Sequence, residues 1–103
     1  MKYRLTPAAL SDIRQIVWHV RTIQKSPQNA RLVAERLKHQ FQKLARMPGL
    51  GHPRPELEDD DALVIAVTGL LVIYDAKLRP LTILRVIHGG RDLGKIDPRG
   101  SAD

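Results

Sequence analysis

The sequence of 103 residues contains no cysteine. Neither a disulfide framework nor a thiolate metal site is therefore available to it. Aromatic residues are also scarce, with one Trp, two Tyr and one Phe, which excludes an extensive surface for stacking RNA bases. No apolar run approaches bilayer-spanning length, and the first residues lack the apolar core of a signal peptide. We therefore expect a cytoplasmic protein without a membrane partner.

The common catalytic motifs are missing as well. The sequence has no Walker loop, no dinucleotide-binding fingerprint, no nucleophile elbow and no arrangement of paired carboxylates. His19, His39 and His52 are scattered over two predicted helices and a loop, and no pair of histidines has the spacing of metal ligands. We expect no metal and no cofactor.

Positive charge is abundant. The formal net charge is +6, with a sequence pI near 10.2. Five of the 11 acidic residues lie between positions 56 and 61, so the other residues carry 17 cations against six acids, a balance of +11. This balance favours an anionic partner, either nucleic acid or an acidic protein. A basic surface that serves solubility alone fits the composition equally well.

The first half of the chain predicts one short strand and two helices. Residues 2–5 alternate polar and apolar, as in a strand. Thr6-Pro7 and Ser26-Pro27 each place a hydroxyl N-cap before a proline, which predicts two helix starts. The first helix should end near Gln24 and the second at residues 47–49. Apolar residues recur at helical spacing in both, so we expect an antiparallel helical hairpin.

The second half predicts strands. Residues 48–61 are rich in proline and acidic residues and read as a loop. Residues 63–67, 70–74 and 81–88 are apolar runs separated by turn signals, which predicts three antiparallel strands. The fold class is therefore α+β, with the order β-α-α-β-β-β and a helical hairpin packed on an antiparallel meander. We expect one domain over residues 1–96 and a disordered tail over residues 97–103.

The last predicted strand ends in a change of chemistry. His88 is followed by Gly89, Gly90, Arg91 and Asp92. An imidazole at a strand end could serve as a general acid or base, or its ring could close the turn by bonding to the backbone. The two glycines add conformational freedom, which costs folding entropy and suggests a presented group.

Other polar and aromatic residues allow two interpretations each. Arg85, among aliphatic residues, could hold a phosphate or an acidic side chain of a partner, or it could form a structural ion pair with Asp92 or Asp75. Arg91 and Arg54 lie in predicted loops, where binding residues often occur. Trp18 is expected to support the contact between helix and sheet. The lysines and arginines of the helices read most simply as solvated faces.

Several segments together resemble the RelE/ParE toxins of bacterial type II toxin–antitoxin modules, and ParE more closely. The likeness covers residues 2–93, and residues 84–93 are its most specific part. The other segments that carry it are residues 3–9, Asp12-Ile13 with Trp18, residues 41–51, residues 54–57 and residues 68–74.

The resemblance implies a small basic toxin that is neutralised by a cognate antitoxin. Toxins similar to ParE poison DNA gyrase and block replication without an accepted catalytic site. Toxins similar to RelE cut mRNA in the ribosomal A site. The antitoxin's acidic carboxy-terminal segment would wrap the toxin, in a heterotetramer or a larger complex.

Residue chemistry favours gyrase inhibition over mRNA cleavage. A ribonuclease needs a base, an acid and cations around the phosphate, and its candidates here are His88, Arg85, Arg91, Arg54 and Tyr74. No tyrosine follows Tyr74, however, and the acidic loop would repel RNA. A non-toxic basic interaction domain is a third alternative. We expect Arg85, His88, Arg91 and Asp92 to contact the target, with Arg54 supporting them.

Overall fold

The computed structural model of the chain describes residues 2–100. Two helices pack on one face of a five-stranded sheet, which confirms the predicted α+β class. The helices are α1 (Pro7–Trp18) and α2 (Pro27–Arg46), and the strands are β1 (Tyr3–Leu5), β2 (His52–Pro53), β3 (Ala62–Val67), β4 (Leu70–Asp75) and β5 (Leu81–His88).

Both helices begin as the cap residues predict. The Thr6 hydroxyl accepts a hydrogen bond from the Ala9 amide at 3.0 Å and donates one to the Leu84 carbonyl at 2.8 Å. The Ser26 hydroxyl accepts from the Asn29 amide at 3.2 Å. These bonds satisfy amides that have no partner inside the helix. After α1 the chain continues as one wider, π-helical turn at His19–Ile23.

The sheet differs from the predicted meander at both edges. Its strand order is β1-β5-β4-β3-β2, and β1 runs parallel to β5. The predicted loop over residues 48–61 contributes β2, which pairs with β3, and two short 3₁₀ turns at Pro48–Leu50 and Pro55–Leu57. The sheet is therefore mixed. Proline in β2 is tolerated because this is an edge strand.

Apolar side chains cover both faces of the sheet. One cluster joins the helices to one face through Ile16, Leu37, Phe41 and Leu44. On the other face, a second cluster brings the carboxy-terminal segment against the sheet through Leu93 and Ile96. The second cluster explains why the strands are apolar on both sides.

Part of the expected disordered tail is packed. Pro98 is buried, and the Arg99 guanidinium donates to Asp59 and, at 2.7 Å, to Asp75. These contacts hold residues 98–100 against the end of the sheet, which differs from the expected tail. The remainder of that tail, residues 101–103, lies outside the described residues. Among residues 2–100, no helix has the length and apolar character needed to cross a bilayer.

Candidate functional site

An open cleft of about 340 Å³ lies where the end of α1 meets the end of β5. Strand β5 contributes His88, and the following turn contributes Arg91. The facing side chains come from α1 and its π-helical turn, and they include Asp12, Trp18 and His19. The cleft therefore combines cationic, imidazole and aromatic groups at one corner of the molecule.

Behind this corner, Asp12 joins α1 to β5. Its carboxylate accepts hydrogen bonds from Arg85 Nε at 2.7 Å and from Arg85 Nη2 at 2.9 Å. It also accepts from the Val86 amide at 3.0 Å. The side chains of Arg85 and Asp12 are only 17% and 14% exposed. Two-point contact with a carboxylate suits the planar guanidinium and fixes its orientation. Arg85 is therefore a structural residue, which is one of the two roles that the sequence allows.

The partners predicted for Arg85 were wrong, and the residues of β5 do not follow simple alternation. Within residues 2–100 its carboxylate partner is Asp12, whereas Asp92 and Asp75 make other contacts. Simple alternation fails because β5 carries one extra residue: Tyr74 of β4 pairs with Ile83, but the preceding residue of β4 pairs with Arg85. Such a bulge reorients the side chains that follow it.

His88 and Arg91 are the predicted site residues that the fold brings together in the open. Both side chains are exposed, and both line the cleft. Backbone hydrogen bonds close the turn, from the Arg91 amide to the His88 carbonyl at 3.1 Å and from the Gly89 amide to the Gly69 carbonyl at 3.0 Å. The His88 ring is thus available for a contact. Glycine suits the close packing at position 89, because a Cβ there would lie 3.1 Å from the Gly69 oxygen, which would have to move by a few tenths of an ångström.

Asp92 and Arg54 do not line this cleft. Asp92 caps the following 3₁₀ turn by accepting from the Gly94 amide at 2.9 Å. Arg54 follows β2, at the edge of the sheet opposite β1, and pairs with Glu56 at 3.1 Å. Two strands, β3 and β4, lie between β2 and β5, so Arg54 is distant from His88.

Tyr74 is a core residue. Its side chain is fully buried, and its hydroxyl donates to the Pro48 carbonyl at 2.7 Å and accepts from the Gly51 amide at 2.8 Å. Burial raises the pKa of the phenol above its ordinary value. The hydroxyl thus links the segment that follows α2 to strand β4. Tyr74 therefore has a packing role in this structure, and its hydroxyl is not exposed for the ribonuclease role considered from the sequence.

Ion pairs neutralise much of the acidic loop at the other end of the sheet. Lys77 donates to Asp61 at 2.6 Å, and Arg99 bridges Asp59 and Asp75. The hydrogen bond from Arg99 holds the pKa of Asp59 below its ordinary value. Since Asp75 pairs with Thr82 at the start of β5, this acidic end is remote from the end that carries His88.

Sequence reasoning missed three residues of this corner. Asp12 is the only acidic residue among the first 34, and that isolation was an available signal for a structural or functional partner. His19 lines the cleft, although its position in the sequence predicts no partner. Trp18 also lines the cleft, and because 52% of this residue is exposed, only part of it can support the contact between helix and sheet. Among residues 2–100, no group of three potential ligands is placed to hold a metal ion.

Comparison with known proteins assigns the family. No curated protein sequence matches the chain. Among solved structures, the chain is similar to one described as a chromosomal ParDE toxin–antitoxin system from P. aeruginosa, with 20% identity and a TM-score of 0.71. The match covers 85% of this chain and 95% of the other, and it shows that the fold is shared. The family described as the ParE toxin of the type II toxin–antitoxin system, parDE, matches residues 3–93, and this chain belongs to that family.

Proposed function

We propose that this protein is a toxin that inhibits DNA gyrase in the bacterial cytoplasm and is neutralised by a cognate antitoxin. The observation that carries the proposal is the match of residues 3–93 to the ParE toxin family. The resemblance of residues 84–93 to such toxins points to the end of β5 as the target-binding corner. There, His88 and Arg91 are exposed on one cleft.

The arrangement of side chains supports gyrase inhibition over mRNA cleavage. A ribonuclease must bring a base, an acid and cations to a single phosphate. Of the five residues considered for that role, Tyr74 is buried, Arg85 is bound to Asp12, and Arg54 lies at the opposite edge of the sheet. His88 and Arg91 alone remain at the cleft, which suits a binding surface better than that catalytic set.

Exposed apolar groups support the expected antitoxin. Trp18 is 52% exposed and Ile23 is 59% exposed. Both lie near the connection between α1 and α2, at one end of the helical hairpin. An antitoxin segment could cover these side chains while its acidic residues meet the basic body of the toxin. Coexpression of the adjacent antitoxin gene should restore growth, and size measurements on the purified complex would test the expected heterotetramer or larger assembly.

Toxicity and target can be tested together. Induction of the protein alone should arrest bacterial growth, and the purified protein should inhibit supercoiling by gyrase and accumulate cleaved DNA. Ribosome-bound mRNA should remain intact in the same preparation. Cleaved mRNA with normal gyrase activity would transfer the assignment to the ribonuclease alternative. Normal growth despite soluble expression would favour the non-toxic interaction domain.

Arg91→Ala tests the proposed corner directly. We expect this substitution to weaken growth arrest and gyrase inhibition with little change in stability, because the Arg91 side chain is exposed. Arg31→Ala is the matched control, since it removes one exposed arginine from the outer surface of α2. Inhibition by the Arg91 variant equal to that of the wild type would exclude this residue from the target surface.

A further inference from the structure

Helix α2 carries a line of exposed basic side chains that the corner at β5 does not use. Arg36, Lys43 and Arg46 are exposed, as is His39 between them. They line an open groove of about 530 Å³ together with Thr68 in the turn between β3 and β4. We call Arg36, Lys43 and Arg46 the α2 cationic row. Arg36 is fixed to the turn by a hydrogen bond from Nη1 to the Thr68 hydroxyl at 3.2 Å.

The charge of α2 is unusually one-sided. The helix contains five Lys and Arg residues and one acidic residue, Glu35. Exposed helices commonly mix the two signs and form pairs three or four residues apart. Among residues 2–100, the cations of the five ion pairs are Arg54, Lys77, Arg85 and Arg99, and none of these belongs to α2. The cations of α2 are therefore exposed and are not neutralised by an ion pair within the described part of the chain.

The spacing of the α2 cationic row fits a nucleic-acid backbone. Arg36 and Arg46 are ten positions apart, which corresponds to about 15 Å along the helix. One strand of duplex DNA carries a phosphate about every 3.4 Å along the axis, so the row spans roughly four phosphates. Three cations distributed over that length can contact about three of them.

Aromatic groups are missing from the groove, and this favours contact with a backbone rather than with bases. The groove is lined by Arg36, His39, Gln40, Lys43, Arg46, Val67 and Thr68. Recognition of single-stranded RNA relies on aromatic side chains on which bases stack. Phe41 of the same helix is buried and packs against Tyr3, with ring centroids 5.4 Å apart. A regular duplex backbone is the anion that this row fits best.

We infer that the α2 cationic row binds the phosphate backbone of duplex DNA without sequence preference. This inference rests on the proposed function in one respect: gyrase acts on duplex DNA, so the toxin would hold the DNA segment beside its target. The binding itself requires no gyrase. It can therefore be measured with the isolated toxin, independently of inhibition.

Two double variants test the row with the same change in charge. Lys43→Gln/Arg46→Gln removes two cations from the row, whereas Arg31→Gln/Lys38→Gln removes two exposed cations from another side of the same helix. The probe is a fluorescent 20-base-pair duplex, followed by anisotropy between 50 and 200 mM salt. A single-stranded RNA of equal length and polyglutamate are the competing ligands. Circular dichroism melting verifies that each variant is folded.

We expect the wild-type protein to bind the duplex with a salt dependence corresponding to about three phosphate contacts. Lys43→Gln/Arg46→Gln should weaken binding about tenfold or more at 0.1 M salt and lower the salt slope by about two. Arg31→Gln/Lys38→Gln should change affinity less than about threefold if the contact is confined to the row. If the first double variant is unfolded, Lys43→Gln alone should lower the slope by about one.

Several outcomes would overturn the inference. Equal weakening by the two double variants would show diffuse attraction to the whole protein, and tighter binding of RNA or polyglutamate would assign the row to another partner. A wild-type protein that does not bind the duplex at 50 mM salt would also refute it. DNA binding without gyrase inhibition would retain this inference and refute the proposed function. Gyrase inhibition without binding to free duplex would do the reverse.

Discussion

The contact between Asp12 and Arg85 should be one of the strongest polar interactions in this protein. It connects the middle of α1 to β5 next to the bulge, and the same carboxylate accepts a bond from the Val86 amide. We expect a double-mutant cycle with Asp12→Asn, Arg85→Gln and the combined variant to give a coupling energy of about 2 kcal/mol. The cycle subtracts any other interaction that Arg85 makes.

The expected magnitude follows from burial and geometry. Exposed ion pairs contribute about 0.2–1 kcal/mol, and removing one partner of a buried pair costs about 3–5 kcal/mol. With side-chain exposures of 17% and 14%, this pair lies nearer the buried limit. Two charge-assisted hydrogen bonds at 2.7 and 2.9 Å support an intermediate value. A decrease of about 2 kcal/mol in the unfolding free energy corresponds to a melting temperature lower by about 8–16 °C for a domain of this size.

Urea unfolding of the four proteins at neutral pH measures the coupling, and equal m-values would show that the same surface is exposed in each. The matched control is the pair of Asp61 and Lys77, whose side chains are 50% and 76% exposed. Because solvent screens this exposed pair, its coupling energy should equal zero within experimental error. A coupling below about 0.5 kcal/mol for Asp12 and Arg85 would refute the reasoning from burial.

Two further predictions concern the opposite end of the sheet. Tyr74→Phe should lower the free energy of unfolding in urea by about 1–3 kcal/mol, because the buried Gly51 amide loses its acceptor; toxicity per folded molecule should persist, and unchanged stability would contradict the assigned role. The lowered pKa of Asp59 beside Arg99 stabilises the fold above the ordinary aspartate pKa of about 3.9, and this contribution is lost as the pH falls through the folded value. The difference in unfolding free energy between wild type and Arg99→Gln should therefore narrow below about pH 4, whereas a constant difference down to pH 3 would refute it.

Local signals explain why much of the fold was predictable from sequence. The two hydroxyl–proline caps, at Thr6-Pro7 and Ser26-Pro27, act within one helical turn and need no knowledge of the tertiary structure. The strand at residues 81–88 was bounded correctly because a turn and a glycine pair flank it. Pairing between distant segments carries no such signal. The parallel contact of β1 with β5 joins residues 78 apart, so local patterns could not reveal it.

The surroundings of Arg85 were less predictable, because they depend on one inserted residue in β5. Strict alternation along β5 would give Arg85 the same face as Leu81, Ile83 and Ile87. In the structure Ile83 packs with the helices and Ile87 packs with the carboxy-terminal segment. The bulge between them is a property of how β5 pairs with β4, and hydrophobic periodicity within one strand does not encode it.

The two arginines on either side of His88 therefore have different meanings in a mutational experiment. Arg85 is 17% exposed at its side chain and bound to Asp12, so its loss should lower stability and toxicity together. Arg91 is exposed on the cleft, so its loss can affect toxicity while the fold is retained. A toxicity defect at Arg85 consequently says little about target contact, since a partly unfolded toxin is also inactive. Of the two arginines, only Arg91 can place the target at this corner, through a toxicity defect accompanied by unchanged unfolding.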